Sequence, residues 1–269
     1  MTTLEPGGVA VVTGGASGIG LALGRAFAAR GMHVVLADIE AGPLERAAAE
    51  LGATGSITDV SRRADVDRLA ALTLEQFGRV DVVCNNAGVS IGSLPTWQYD
   101  QRDWEWVLGV NLMGVIHGVA AFVPHLVSQG FGHVVNTSSA AGLAVIPGLS
   151  PYTVAKHGVT ALSEALLLEL QQQGVDVGVT IVSPGMVHTA IRGAERNRPS
   201  DLVVERDASA KPSAFPDVPD MQDPNDLAAD VLAAIEANQL HVAFVGAEPM
   251  MQERISRLNA SRGEGDPLP

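Results

Sequence analysis

Tyrosine and lysine are both scarce in this 269-residue chain: two Tyr (Tyr99, Tyr152) and two Lys (Lys156, Lys211). Yet one of each stands four residues apart in Tyr152-Thr153-Val154-Ala155-Lys156. Random placement gives such a pair in roughly 1.5% of cases, and on a helix positions i and i+4 share a face. The pairing has a chemical use. A phenol ionises near pH 10, too high for an efficient general base at neutral pH, and a nearby ammonium should lower that value. The lysine can also donate to a ribose hydroxyl. Upstream, Ser139 ends the run Val134-Val135-Asn136-Thr137-Ser138-Ser139. A hydroxyl at the carboxyl end of a parallel strand faces the crevice where open α/β sheets bind ligands, and could donate there to a substrate carbonyl. Taken singly, a surface Tyr/Lys pair and a loop-capping Ser are the plainer readings.

A second constellation lies near the start of the chain. After Val9-Ala10-Val11-Val12 comes Thr13-Gly14-Gly15-Ala16-Ser17-Gly18-Ile19-Gly20. Gly14, Gly18 and Gly20 let the backbone turn tightly and approach a ligand, and the following helix directs free N–H groups at an anionic pyrophosphate. Ser17 and Ile19 share that turn and count with the glycines as cofactor-contacting positions. The spacing departs from the common G-x-G-x-x-G fingerprint. Asp38 then ends the second strand, 18 residues after Gly20. A carboxylate there can accept from both adenosine ribose hydroxyls and would repel a 2′-phosphate. Neither Ile39 beside it nor Ser17 in the turn supplies a cation. The reading is NAD rather than NADP.

The elements that must hold these residues follow from periodicity. Strands are expected at Val9–Val12, His33–Ala37, Gly55–Thr58, Val80–Cys84, His133–Asn136, Val175–Val182 and His241–Val245. Helices are expected at Leu21–Arg30, Pro43–Leu51, Arg63–Phe77, Asp103–Val127, Tyr152–Gln172 and Asp226–Asn238. Strands as apolar as Val9–Val12 are buried on both faces, as in a parallel sheet covered by helices. The expectation is one Rossmann-type doubly wound α/β domain with a seven-stranded parallel sheet. Gly193–Asp223 stands apart, with Pro199, Pro212, Pro216 and Pro219 and few apolar residues. A long loop of this kind is usually functional or disordered, and it reads as a substrate lid without a core of its own. Residues 263–269 read as a disordered tail.

Composition narrows the function classes. With 17 basic and 30 acidic residues the net charge is -13, so neither nucleic acid nor anionic membrane is a default partner. No leader and no apolar run of about 18 residues is evident, and the chain reads as soluble and cytoplasmic. Cys84 is alone, and the seven His show no metal-ligand spacing, so no metal is expected. Most of these His read as strand-edge or helix-surface residues, and His188 as a substrate candidate. Trp97, Trp104 and Trp106 read as packing around a helix start, with Trp97 able to edge the pocket.

Several ordered motifs together resemble the short-chain dehydrogenase/reductase (SDR) family over about residues 8–246. They are Thr13-Gly14-x-x-x-Gly18-x-Gly20, Asp59-Val60, Asn85-Asn86-Ala87-Gly88, Asn111, Ser139, Tyr152-x-x-x-Lys156 and Pro184-Gly185-x-x-x-Thr189. The resemblance implies Tyr152 as general acid/base, Lys156 as its electrostatic partner and ribose ligand, and Ser139 as the group that polarises the substrate oxygen. It implies that Asn111 holds a water relaying protons to Lys156. Asp59 and Val60 would contact adenine, and Asn86, Ala87 and Gly88 would support the sheet beside the nucleotide. Pro184, Gly185, Val187 and Thr189 would border the nicotinamide. It also implies a homo-oligomer, a tetramer or dimer, built on the helices around Asn111 and Tyr152.

By motif position the substrate wall comprises Leu143, Ile146, Leu149, Met186 and Ile191, apolar and without Arg or Lys, with His188 at its mouth. A hydrophobic secondary alcohol or its ketone fits better than a phosphate or polyol. The enzymatic alternative is an NADPH-dependent 3-ketoacyl carrier protein reductase, which Asp38 and the negative charge disfavour. The non-enzymatic alternative is a nucleotide-sensing binding protein, disfavoured by the intact Ser139, Tyr152 and Lys156.

Overall fold

The structure, a computed structural model, describes residues 4–206, 221–244 and 247–260. Seven strands form one sheet in the order β3-β2-β1-β4-β5-β6-β7. They are β1 Val9–Thr13, β2 His33–Asp38, β3 Thr54–Ile57, β4 Val82–Asn85, β5 Phe131–Thr137, β6 Asp176–Ser183 and β7 His241–Ala243. Every neighbouring pair is parallel. The helices are α1 Gly18–Ala29, α2 Ala41–Leu51, α3 Arg63–Phe77, α4 Gln101–Leu108, α5 Gly114–Gln129, α6 Ser150–Gln172, α7 Pro224–Glu236 and α8 Ala247–Ala260. This is the expected doubly wound Rossmann-type arrangement.

The strands are apolar on both faces because both are covered. In β1, Ala10 and Val12 point into a layer with Leu23 and Phe27 of α1 and Val231 of α7. Val11 points the other way, into a layer with Leu69 of α3, Phe122 and Leu126 of α5, and Leu166 and Leu170 of α6. A third cluster, with Tyr99, Trp106, Val107 and Ala194, lies beyond the carboxyl ends of the strands.

Several elements differ from the sequence reading. The helix expected at Asp103–Val127 is α4 and α5 joined by a π turn at Gly109–Met113, where the Gly114 N–H reaches back five residues to Gly109 O. The run Gln101–Gln129 is also long and apolar enough by length and composition to cross a membrane, with an 18-residue window of mean hydropathy 1.8. Asn111 and His117 disguise that run in the sequence. Half of the window is buried in this fold, where Val115, Phe122 and Leu126 face the core. His133 is a core residue, not an edge residue, at 1% exposure. Burial pushes its imidazole down to about 4. Helix α8 was not foreseen; it docks through Arg254, which donates to Leu143 O at 3.2 Å and meets His157 Nε2 at 2.7 Å.

The start of the proline-rich segment is anchored rather than coreless. Residues Ala190–Asn197 and Ser200–Leu202 form 3-10 turns. Asp103, fully buried, pairs with Arg198 at 2.6 Å and with Arg206. Arg198 also lies over the Trp106 ring, 5.0 Å from its centroid. At the other end, Gln222 is tied by backbone hydrogen bonds to Met186 O and from the His188 N–H, at 2.9 and 3.1 Å. Residues 207–220, the rest of the expected lid, and the expected tail 263–269 lie outside the described residues.

Candidate active site

The sheet order reverses direction between β1 and β4, and ligands of open α/β sheets bind outside the strand ends at such a point. A cleft of about 520 Å³ opens there. Its floor begins at the turn after β1. Gly18 has φ +53, and a Cβ on it would lie 2.9 Å from Thr189 Cγ2. A Cβ on Gly20 would lie 2.1 Å from Gly14 O, so only glycine lets α1 start so close to the turn. The N-cap residue of α1, Ser17, makes no side-chain capping bond, and the first turn holds no acidic residue. The amino end of α1 is therefore electropositive and uncapped by the protein, the environment an anion favours.

Asp38 flanks that turn. Its Oδ2 accepts from the Ala16 N–H and its Oδ1 from the Glu40 N–H, each at 3.0 Å. Four lone-pair sites on a carboxylate leave capacity for hydroxyl donors beyond these two. Ile39, 45% exposed, and Glu40 continue the lining, followed by Asp59 and Val60. Asp59 Oδ1 is shaped by the Ser61 N–H and hydroxyl at 3.0 and 2.6 Å. Asn86 joins three strand ends: its Nδ2 donates to Thr13 O at 2.9 Å, and its Oδ1 accepts from Thr137 Oγ1 at 3.2 Å. Ala87, Gly88, Pro184, Gly185, Val187 and Thr189 line the same cleft, with Gly14, Ser17, Gly18 and Ile19. Gly20 stands just behind it.

At the other end of the cleft, α6 presents Tyr152 and Lys156, and β5 delivers Ser139. The two serines are separated by their partners. Ser138 Oγ donates to Lys156 O at 3.0 Å and meets Thr160 Oγ1 at 2.9 Å, whereas Ser139 hydrogen-bonds the Tyr152 phenol. The Lys156 Nζ donates to Thr137 O at 2.7 Å and lies 5.6 Å from the centroid of the Tyr152 ring. This placement corrects the expected pKa. Burial pushes the Tyr152 phenol above its usual value, with the Ser139 hydrogen bond acting in the opposite sense. Burial lowers Lys156 to about 8. The ammonium sits over the ring and bonds a carbonyl rather than the phenol oxygen, so desolvation outweighs the pairing.

Asn111 occupies the π turn and is fully buried. Its Oδ1 accepts from the Val89 N–H and its Nδ2 donates to Val89 O, both at 2.8 Å. The side chain is thus committed to the β4 loop, and a water at this residue would be held by its main chain. A Cβ on Gly88 would lie 3.5 Å from Asn111 Oδ1 and 3.7 Å from Lys156 Nζ, so the three residues are neighbours.

Of the expected substrate wall, Ile146, Leu149, Met186 and Ile191 line the cleft; Leu143 and His188 do not. Leu143 turns its carbonyl to Arg254, and His188 is an exposed residue whose backbone pairs with Gln222. Trp97 is 84% exposed and away from the cleft, while Trp106 lines it. The wall also holds Val110, Pro199, Leu202 and Phe244, and Glu105, Arg192 and Arg196 add charged residues to the lining beyond the apolar ones expected. Trp97 lies in the 3-10 turn Thr96–Gln98 ahead of α4, whereas Trp104 and Trp106 are in α4, whose start is set by the Asp100 capping box.

The geometry has a counterpart in known proteins. Residues 8–200 match the short chain dehydrogenase family. The chain belongs to that family. Among solved structures, a short-chain dehydrogenase/reductase from Burkholderia phymatum in complex with NAD is similar, with a TM-score of 0.89 and 36% identity over 99% of each chain. Among curated relatives, the CLA biosynthesis dehydrogenase/reductase of Lactiplantibacillus plantarum is 29% identical over 93% of this chain and 92% of its own length. The 1-deoxy-11-beta-hydroxypentalenate dehydrogenase of Streptomyces exfoliatus is 39% identical over 67% of each. This short-chain dehydrogenase is accordingly an oxidoreductase by family.

Proposed function

We propose that the chain is an NAD-dependent dehydrogenase that interconverts a hydrophobic secondary alcohol and its ketone. The observation that carries this reading is the convergence of Ser139, Tyr152 and Lys156 with an uncapped helix terminus and Asp38 in one cleft. The residues present fit a dinucleotide: glycines at the close approach, an amino terminus for the pyrophosphate, and a carboxylate with spare acceptor sites for ribose. NAD, when bound, supplies a hydride acceptor for the carbinol carbon, or the hydride for the reverse reaction.

The protein's own groups do the rest. Ser139 donates to the substrate oxygen and orients it. Tyr152 takes the hydroxyl proton in oxidation and returns it in reduction. Lys156 holds positive charge beside the phenol and donates to ribose. Asn111 fixes the loop at Val89, and any relay water would meet its main chain rather than its amide. Trp106, Ile146, Leu149 and Leu202 suit an apolar substrate body. The relative from Streptomyces exfoliatus, named for a hydroxylated pentalenate, supports that substrate class. Asp103 fixes the start of the proline-rich segment through Arg198 and Arg206, so that part is a wall of the cleft rather than a moving lid. A homo-oligomer built on α5 and α6 is supported by their exposed apolar residues and neighbours, such as Met113 and Leu168 at 40% and 57% exposure.

The test is NADH formation with a panel of secondary alcohols. Activity with NAD should exceed that with NADP, and Asp38→Ala should narrow the preference. Tyr152→Phe should lower kcat by at least about 10²-fold while NADH binding survives. Equal or better kcat/KM with NADP, or near-normal turnover in Tyr152→Phe, would overturn the reading.

A further inference from the structure

Two charged residues of the cleft have no part in this mechanism. Glu40 follows Asp38 by two positions and sits at the N-cap of α2, where its side chain makes no capping bond. Arg196 arrives from the far side of the cleft, on the 3-10 turn Ala190–Asn197. Both residues line the cleft, together with Asp38 and Ile39.

Their contact is bidentate. Arg196 Nε donates to Glu40 Oε1 at 3.0 Å, and Nη2 donates to Oε2 at 2.7 Å. Arg196 Nη1 donates to Ala190 O at 3.2 Å and to Gly193 O at 2.8 Å. Four of the five guanidinium N–H groups are therefore engaged. The charges feel one another: the pair holds the Glu40 carboxyl below its usual range and raises Arg196, and Asp38 adds to the latter. The guanidinium thus lies in the field of the carboxylate assigned to the adenosine ribose.

We infer that Glu40 is a second determinant of NAD over NADP, acting by occupying Arg196, a cation beside the position that a 2′-phosphate would take. This rests on the reading of the cleft as a dinucleotide site with Asp38 at the ribose. An unpaired guanidinium there would bind a phosphate through charge-assisted, bidentate hydrogen bonds and offset the repulsion from Asp38. Glu40 fills that fork with a carboxylate and adds negative charge of its own. An incoming phosphate must displace the carboxylate, and it then faces Glu40 and Asp38 together. The determinant is invisible to a reading of the β2 end alone, because its cation is supplied from 156 residues downstream.

The experiment titrates NADH and NADPH fluorescence against the full chain, wild type and variants, with kcat/KM for NAD and NADP measured alongside. Glu40→Gln should tighten NADPH by about tenfold, the size of a gained phosphate contact, and change NADH by less than about twofold. The double variant Glu40→Gln/Arg196→Met should lose that gain, since the two residues act as a unit. Glu40→Ala should behave as Glu40→Gln, which guards against an effect peculiar to the amide. Unchanged NADPH affinity in both Glu40 variants, or a gain that persists in the double variant, overturns the inference. The wild-type titration separates the two levels. No NADH binding removes the dinucleotide reading and this inference with it, whereas tight NADH binding with an unresponsive Glu40 removes this inference alone.

Discussion

Lys156 illustrates how a functional residue works against the fold that holds it. Burial lowers its pKa from an ordinary 10.5 to about 8. The unfolded chain therefore binds more protons than the folded one between these values, and stability rises with pH across that window. Below about pH 8 the folded protein carries the full cost of the buried ammonium, of order 3 kcal/mol, offset in part by the bond to Thr137 O. Lys156→Met should remove that cost. Denaturant titration at pH 7 should find the variant at least as stable as wild type, with the advantage shrinking toward pH 10, while activity falls by at least about 10²-fold. A variant less stable than wild type at pH 7 would contradict this. The Tyr152–Lys156 spacing, the glycine turn and Asp38 were legible in the sequence because each is a local pattern. Glu40, Arg196, Trp106 and Leu202 were not, because their roles depend on a segment near residue 200 folding back over α4 and the end of β2. Leu143 and His188 were misplaced for a related reason: motif position locates a loop but not which way each side chain leaves it.

At the scale of elements, the close approach of α5 to the sheet depends on Gly118. A Cβ there would lie 1.8 Å from Asn85 Oδ1. Asn85 Nδ2 donates to Asn136 Oδ1 at 2.9 Å, and Asn136 Nδ2 donates to Ser163 Oγ at 2.9 Å, so a buried polar chain links β4, β5 and α6. Gly118→Ala would ordinarily favour a helix. Here it should destabilise the protein by about 1–3 kcal/mol or more, through overpacking and disruption of that chain. Thermal denaturation checks this; a neutral or stabilising effect would mean that α5 can move off the sheet freely. Strands and most helices were readable from periodicity, which survives small errors of boundary. The π turn was not, because one extra residue shifts the phase of an apolar run without interrupting it. That shift places Asn111 against Val89.

For the whole molecule, the cleft joins the β1–β3 half of the sheet to the β4–β7 half, so a ligand in it touches both. NADH at about 100 times its Kd should stabilise the folded state by about 2.7 kcal/mol. For a chain of this size that is a rise of roughly 5–10 °C in Tm. NADPH at the same concentration should give a smaller rise. A flat response to NADH would contradict the proposed cofactor.

The sheet order has a consequence for synthesis on the ribosome. Strand β1 is made before both of its neighbours, yet it ends in the middle of the sheet, between β2 and β4. Its edge toward β2 can be covered once His33–Asp38 has emerged, but its other edge must wait for Val82–Asn85. Until then a strand of five buried residues, apolar on both faces, presents an open row of backbone donors and acceptors. Nascent chains paused between these two points are thus the species that most need a chaperone or rapid elongation.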